Sequence, residues 1–213
     1  MAWFAATRYL LSTYSLTWWY SFWIVDLDRY LEALPYGIDS FEGAQVKASM
    51  LRTALAVHTP DTASLPPRLA ALVREPPPPN TWVTEVEYQC VLLATGDELG
   101  FSDSAYADHT YRVAKTLYAS PMYASLMRVA GPALILKGAS LRWSNFRRGT
   151  KLDARTIKAT SSVRMTFPHG LFLTRNLIGF TGVFRATIEA AGVHGDVELV
   201  REEPGVAIYD AHW

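Results

Sequence analysis

Apolar residues recur at helical spacing through much of the chain between residues 44 and 147. Over residues 44–57, Val46, Met50, Leu51, Ala54 and Val57 stand three, four or one positions apart, which predicts an amphipathic helix. Similar patterns predict helices over 65–73, 81–95 and 103–129, and a further helix from Gly131-Pro132 to about Arg147. We expect the last third of 103–129 to be interrupted at Ser120-Pro121.

The period changes after residue 155. Apolar and polar residues alternate from Thr156 to Phe167, which predicts a half-buried strand. Helical spacing returns over 177–191, where Gly179 and Gly182 permit close backbone approach and Gly192 is a suitable stop. Strands predicted at 197–202 and 206–211 are joined through a Pro-Gly turn.

This order of elements predicts an α+β fold, in which an N-terminal helical layer is followed by a small antiparallel sheet with a strand–helix–strand–strand C-terminal unit. The 213 residues suit about one domain. We expect an aromatic-rich N-terminal segment over 1–40 and one α+β domain over 41–213, with a helical part at 41–150 and a strand–helix–hairpin part at 151–213.

The N-terminal segment has no charged residue between Tyr9 and Val25. Five hydroxyl side chains make this stretch a poor membrane span, and the Trp-Ile-Val-Asp sequence at its end does not form a cleavage site. Two interpretations stay open: a segment covered by the domain or by a protein partner, and an anchor at a membrane surface. The residues expected to make these contacts are Trp18, Trp19, Phe22 and Trp23.

Charge is divided unevenly although the formal net charge is zero. Residues 1–110 hold six basic and thirteen acidic residues, whereas residues 111–213 hold fourteen and seven. Arginines near aromatic side chains could bind phosphates and nucleic-acid bases, or could be solvated beside a buried helical stripe. The candidates for a ligand or anion site are Arg142, Trp143, Arg147, Arg148, Lys151 and Arg164.

Residue types that supply common chemistry are sparse. One cysteine, Cys90, excludes an internal disulfide and favours a cytoplasmic location, and its apolar neighbours predict a small buried side chain. The five histidines have no metal-site spacing. Nucleophile-elbow, P-loop and dinucleotide motifs are missing from the sequence, so no catalytic residue is assigned and we do not expect an enzyme.

The segment from Asn176 to Gly192, with the closing Ala-Ile-Tyr-Asp-Ala-His-Trp, resembles a myxobacterial family of uncharacterised proteins of about 200 residues. The resemblance covers about residues 41–213 and includes Phe41-Glu42-Gly43, Trp82 after the Pro-rich loop, Tyr111-Arg112 and Asn145-Phe146-Arg147. The organisation of that family is similar to heme nitric-oxide/oxygen sensor domains, in which a porphyrin lies between a helical layer and a small sheet.

The resemblance to the sensor domains implies a proximal histidine on the helix before the first strand, and a Tyr-x-Ser-x-Arg motif on that strand. The helix expected over 134–146 has no histidine, and the strand reads Arg164-Met-Thr-Phe. Other ligands to iron would have to come from His109, His169 or Cys90. We therefore predict no heme and no other cofactor.

The resemblance implies a cleft between helices and sheet that holds a small apolar or anionic molecule or is filled by side chains. The cleft candidates are Trp82, His109 and His169. We predict a non-catalytic ligand-sensing or protein-interaction domain, forming a homo-oligomer or binding a partner through the aromatic segment. Nucleic-acid or anion binding through residues 137–164 is the first alternative, and an enzyme with an unfamiliar site is the second.

Overall fold

The computed structural model describes residues 25–120 and 143–213, together with Gly138. Its N-terminal part is a layer of five α-helices within these ranges, accompanied by two short strands and two single 3-10 turns. The helices are α1 (Asp26–Ala33), α2 (Ala48–Val57), α3 (Pro67–Arg74), α4 (Glu85–Glu98) and α5 (Asp103–Ala119). The strands are β1 (Gln45–Lys47) and β2 (Trp82–Thr84), which pair antiparallel with each other.

Helix α4 lies at the centre of this layer and is buried along most of its length. It begins with a capping box, because Thr84 Oγ1 accepts a hydrogen bond from the backbone N–H of Glu87 at 3.1 Å and the Thr84 N–H donates to Glu87 Oε2 at 2.9 Å. This reciprocal pair satisfies two backbone donors that the first helical turn would otherwise leave open. The start of α4 is therefore fixed beside β2.

The C-terminal part is an antiparallel sheet covered on one face by a helix. The strands β4 (Lys151–Ile157), β5 (Thr160–Thr166), β6 (Asp196–Glu203) and β7 (Val206–His212) lie in the order β4-β5-β7-β6. Helix α6 (Thr174–Ala190) packs on the inner face, where Phe184 contacts Tyr209 with ring centroids 5.0 Å apart. The Tyr209 hydroxyl donates to the Leu177 carbonyl oxygen at 3.1 Å and ties sheet to helix.

Two glycines allow the two parts of the fold to pack closely, because α5 and α6 approach each other at Gly179 and Gly182. A Cβ atom at Gly179 would lie 2.9 Å from the Tyr106 ring, and one at Gly182 would overlap the Ala107 carbonyl oxygen. The Thr110 hydroxyl also donates to the Gly179 carbonyl oxygen at 2.6 Å. The close approach expected at these glycines is confirmed.

The predicted α+β class is confirmed, and the differences from the predicted elements lie at their boundaries. The helix expected from residue 44 begins at Ala48, and the helix expected from residue 81 begins at Glu85, because the preceding residues pair as β1 and β2. The single strand expected from Thr156 is wrong: β4 and β5 form a hairpin that turns at Lys158, whose φ is 56°.

The helix expected to run to about Arg147 is helical over residues 143–146 within the described chain. Arg147–Arg148 forms a strand, β3, which pairs with β1 to give a second sheet of order β2-β1-β3. The final hairpin and the stop at Gly192, with φ 85°, are confirmed. Among the described helices, none is long and apolar enough to cross a membrane.

Candidate functional site

A line of buried polar side chains connects the helical layer to the C-terminal part. Arg147 is paired with Glu85 Oε1, and Gln89 Nε2 donates to the same oxygen at 2.8 Å. Asn176 Nδ2 donates to Gln89 Oε1 at 3.1 Å, and Asn176 Oδ1 accepts from the Leu173 N–H at 2.9 Å. We call Arg147, Glu85, Gln89 and Asn176 the central polar chain; it joins β3, α4 and α6.

Aromatic rings enclose the guanidinium end of the central polar chain. The Arg147 Cζ atom lies 5.0 Å from the Phe180 ring centroid, 5.3 Å from Trp143 and 5.4 Å from Tyr88. Arg147 and Glu85 have side chains only 3% and 0% exposed, so their charges are removed from water together. Such a pair persists in a core only when charge and hydrogen bonds compensate the lost hydration.

Two atoms beside the central polar chain are buried without a well-formed hydrogen bond among the described residues. They are Glu85 Oε2 and the hydroxyl oxygen of Tyr106, which lies towards Asn176. Burial raises the pKa of Tyr106 well above its usual range. Nearby, the Tyr30 hydroxyl donates to the Leu171 carbonyl oxygen at 2.7 Å, a further direct bond between the helical layer and the C-terminal part.

The predicted basic site is divided between the core and the surface. Arg147 is buried on Glu85, so it is not available to an external anion, and Trp143 is half-buried against Phe180 with its indole N–H donating to Thr150 at 2.8 Å. This correction follows from the pairing of Arg147 with β1, which turns its side chain inward.

The remaining basic candidates lie on two different sheets. Arg148 is exposed with its guanidinium 3.9 Å from the Trp82 ring centroid, and Lys47 Nζ lies 4.1 Å from the same ring. Lys151 and Arg164 are exposed on β4 and β5. Trp82 is thus half-buried beside two cations, away from the interior. The candidates Arg142, Trp18, Trp19, Phe22 and Trp23 lie outside the described residues.

All five histidines and the cysteine lie within the described residues. His109 is buried on α5 beside Phe101, with ring centroids 5.5 Å apart, and burial with nearby Arg112 lowers its pKa to about 4. His169 is exposed in a turn, so it does not line the interior. Cys90 is fully buried, as expected, and burial raises the pKa of its thiol to about 12.

The other histidines lie at the margins of the fold. His58 follows α2 with its Nε2 atom 3.4 Å from Glu98, while His194 and His212 are exposed. In the described part of the chain, no group of three or more histidine, cysteine, aspartate or glutamate side chains could hold a metal ion.

Two open cavities lie where α5 and α6 meet the end of the sheet. The larger has a volume of about 600 Å³ and the neighbouring one about 400 Å³. Tyr111 and Arg185 line both cavities and are already paired, Tyr111 with Glu189 and Arg185 with Asp108 at 2.6 Å. Neither cavity is lined by a residue of α4, so neither enters the space beside the central polar chain.

Solved structures of H-NOX domains have the same fold as this chain. An oxygen-binding H-NOX domain related to soluble guanylate cyclases, in its oxygen complex, superposes with a TM-score of 0.55 at 10% identity, over 77% of this chain and 90% of that one. A structure from work on heme distortion in the H-NOX family gives 0.55 at 11% identity, over 77% and 89%. An Fe(II) unliganded H-NOX mutant from K. algicida gives 0.51 at 8% identity, over 78% and 95%.

These likenesses define the class of fold, an H-NOX-like α+β domain. No protein-family model and no curated protein matches the chain. The predicted similarity to heme sensor domains is confirmed for the fold.

The sequence analysis does not single out Glu85, Gln89 or Asn176. A usable signal for the first two is the composition of α4, where apolar residues from Val86 to Ala94 occur on every side of the helix. A helix that is apolar all round is buried, so its polar residues must find partners inside the protein. Asn176 has a weaker signal, because an asparagine in a first helical turn is ordinarily explained by capping.

Proposed function

We propose that this chain is a non-catalytic sensing or protein-interaction domain that keeps the H-NOX fold without a heme. The observation that supports the proposal is the direct bonding between its two layers. Asn176 on α6 bonds Gln89 on α4 at 3.1 Å, and Tyr30 on α1 bonds the Leu171 carbonyl oxygen at 2.7 Å. The fold is therefore closed by its own side chains at its centre.

A porphyrin does not fit between groups that are bonded in this way. A flat macrocycle needs about 3.5 Å of van der Waals separation from the atoms on each of its faces. Groups joined by hydrogen bonds of 3.1 Å or less leave no such layer between them.

Ligands for heme iron are also poorly placed. His169, His194 and His212 are exposed at the surface, and His58 lies beside Glu98. His109 is held against Phe101. Cys90 is fully buried among apolar side chains of the helical layer.

The open cavities favour interaction with a protein over enclosure of a small molecule. Small-molecule sites are usually concave and predominantly apolar, and they bury most of the ligand. Here the larger cavity is open, and its charged and polar lining includes Tyr111, which is paired with Glu189, and Arg185, which is paired with Asp108. The fold then serves as a rigid support for surfaces that other molecules contact.

Native mass spectrometry of the full chain, purified without added ligand, tests this proposal. We expect the mass of the polypeptide, or an integral multiple of it, with no retained small molecule. Retention of an organic molecule at one per chain through gentle desolvation would contradict the closed interior. The matched variant for that outcome is Asn176→Ala: if the molecule occupied the space beside the central polar chain, its retention would change in this variant.

A further inference from the structure

The face of the four-stranded sheet opposite α6 has no covering element among the described residues, and we call it the outer sheet face. Side chains of β5 alternate between the two faces, so that Val163 and Met165 are buried beneath α6 while Ser162 and Arg164 are exposed. The inner face makes the core contacts of the domain. As far as the described residues go, the outer sheet face is therefore open to another molecule.

In each row of the outer sheet face, the charge on the edge strand β4 has the opposite sign to the charge on the edge strand β6. Along β4 the outward residues are Lys151, Asp153 and Arg155, positive, negative, positive, followed by the uncharged Ile157. Along β6 the residues in the same three rows are Glu203, Arg201 and Glu198, negative, positive, negative. The rows are defined by strand register, each crossing the sheet from β4 through β5 and β7 to β6.

The side chains in the middle of the outer sheet face are on the whole smaller than those on its edges, and fewer of them are charged. In the first row Thr166 stands beside Val206, in the second Arg164 stands beside Ile208, and in the third Ser162 stands beside Asp210. Val206 and Ile208 are half-buried without a covering element in the described structure. These two apolar side chains lie beside Arg164 and Asp210, and the two edge strands carry most of the charge, so the face combines a mixed centre with a charged rim.

One pair on this face is unfavourable in the isolated chain. Glu198 and Asp210 are directly opposite each other on β6 and β7, and neither side chain has a hydrogen bond or ion pair with another described residue. Like charges directly opposite in a sheet are destabilising. The ion pairs within the face do not involve Glu198 or Asp210, because Arg201 pairs with Glu203 on β6 and Arg155 pairs with Asp153 on β4 at 3.9 Å.

We propose that the outer sheet face is the interface of a symmetric dimer of this chain. A two-fold axis parallel to the strands, between β5 and β7, places β4 of one copy over β6 of the other and leaves each row in register. Lys151 then faces Glu203 of the second copy, Asp153 faces Arg201, and Arg155 faces Glu198. The edge positions of all three rows pair opposite charges, while in the middle Arg164 faces Ile208 of the second copy. Each pair occurs twice because the interface is self-complementary.

The geometry of face-to-face sheets fits these pairs. Packed sheets lie about 10 Å apart, a distance that two long charged side chains span together. Four strands of about seven residues present a flat area of roughly 20 by 23 Å, which is small for a stable interface. The dimer is therefore weak, with a dissociation constant in the micromolar range. It forms whether or not the interior of the domain takes a ligand.

Sedimentation equilibrium of the full chain over about 1 to 200 μM tests the dimer, a range that brackets a micromolar dissociation constant. Arg155→Glu places two acidic side chains in the same row and should raise the dissociation constant about tenfold or more. Glu198→Arg should do the same. The double variant restores an opposite pair with its signs exchanged and should return within about threefold of the unchanged chain.

The matched control is Arg29→Glu, which makes the same change of charge at an exposed position on α1, away from the sheet. It should leave the dissociation constant unchanged. A monomer at the highest concentration overturns the proposal, and so does a dimer that Arg155→Glu leaves intact, since that dimer would use a sheet edge or the N-terminal segment. Failure of the double variant to recover would equally overturn it. Far-ultraviolet circular dichroism confirms that each variant is folded.

Discussion

The central polar chain allows a specific prediction about stability, because the charge of Arg147 can be removed while the charge of Glu85 stays. In Arg147→Met the side chain keeps much of its apolar volume between the Trp143, Tyr88 and Phe180 rings, but Glu85 loses its counter-ion. Removing one member of a buried pair generally costs about 3 to 5 kcal/mol, mainly because it leaves an uncompensated buried charge. We expect a loss of that size in the free energy of unfolding.

Glu85→Gln combined with Arg147→Met separates the cost of the orphaned charge from the loss of packing. A glutamine at position 85 keeps an oxygen that accepts from Gln89, now bonded to Glu85 at 2.8 Å, and carries no charge. The double variant should therefore recover at least about half of the loss seen in Arg147→Met, and replacement of the whole pair can be nearly neutral.

Urea unfolding followed by circular dichroism gives the free energies of unfolding of the unchanged chain, Arg147→Met, Glu85→Gln and the double variant, the four values that a double-mutant cycle needs. A domain of this size has a total free energy of unfolding of about 5 to 15 kcal/mol. If the unchanged chain lies in the upper part of that range, Arg147→Met stays folded and its unfolding can be measured. If the unchanged chain lies in the lower part, Arg147→Met is unfolded without urea. A loss below about 1 kcal/mol in Arg147→Met would contradict the burial of this pair, because Arg147 would then be solvated and the interior open.

Three further predictions concern single residues. Burial lowers the pKa of His109 from 6.5 in the unfolded chain to about 4 in the folded chain. Its contribution to the free energy of unfolding should therefore be constant above about pH 6.5 and fall as the pH drops towards 4, by at most about 3 kcal/mol. His109→Phe should flatten this pH dependence in urea titrations. Gly182→Ala should lose about 1 to 3 kcal/mol through overlap with α5, whereas Gly43→Ala, with open space around it, should change thermal stability little. Cys90 should react with a thiol reagent only at the rate of unfolding; fast labelling of the native chain would contradict its burial.

Much of the fold can be predicted from local pattern. The final hairpin and α6 have uninterrupted periodicity and clear stops, and their bounds differ little from those expected from the sequence. The short strands β1, β2 and β3 could not be found in this way, because each has two or three residues and forms only through pairing with distant segments. Periodicity needs a longer window than these strands provide.

The site was harder to predict than the fold for the same reason. Arg147 and Arg148 are adjacent in a basic run, yet one is buried on Glu85 and the other is exposed beside Trp82. The difference in burial between the two arginines depends on the pairing of β3 with β1. The run of basic residues carries no information about the register of that pairing. The relation between the β4 and β6 charges likewise emerges only when the strand order is known.

The most direct test of whether the closed interior excludes heme is the absorbance spectrum of the full chain, purified from cells supplied with a heme precursor. Side chains that bond across the two layers should exclude the porphyrin, so the spectrum should show the aromatic protein band and no Soret band. The same spectrum should be obtained after incubation with hemin and removal of the excess. A Soret band at one heme per chain would contradict this expectation, because the porphyrin would then lie between layers that these side chains now join.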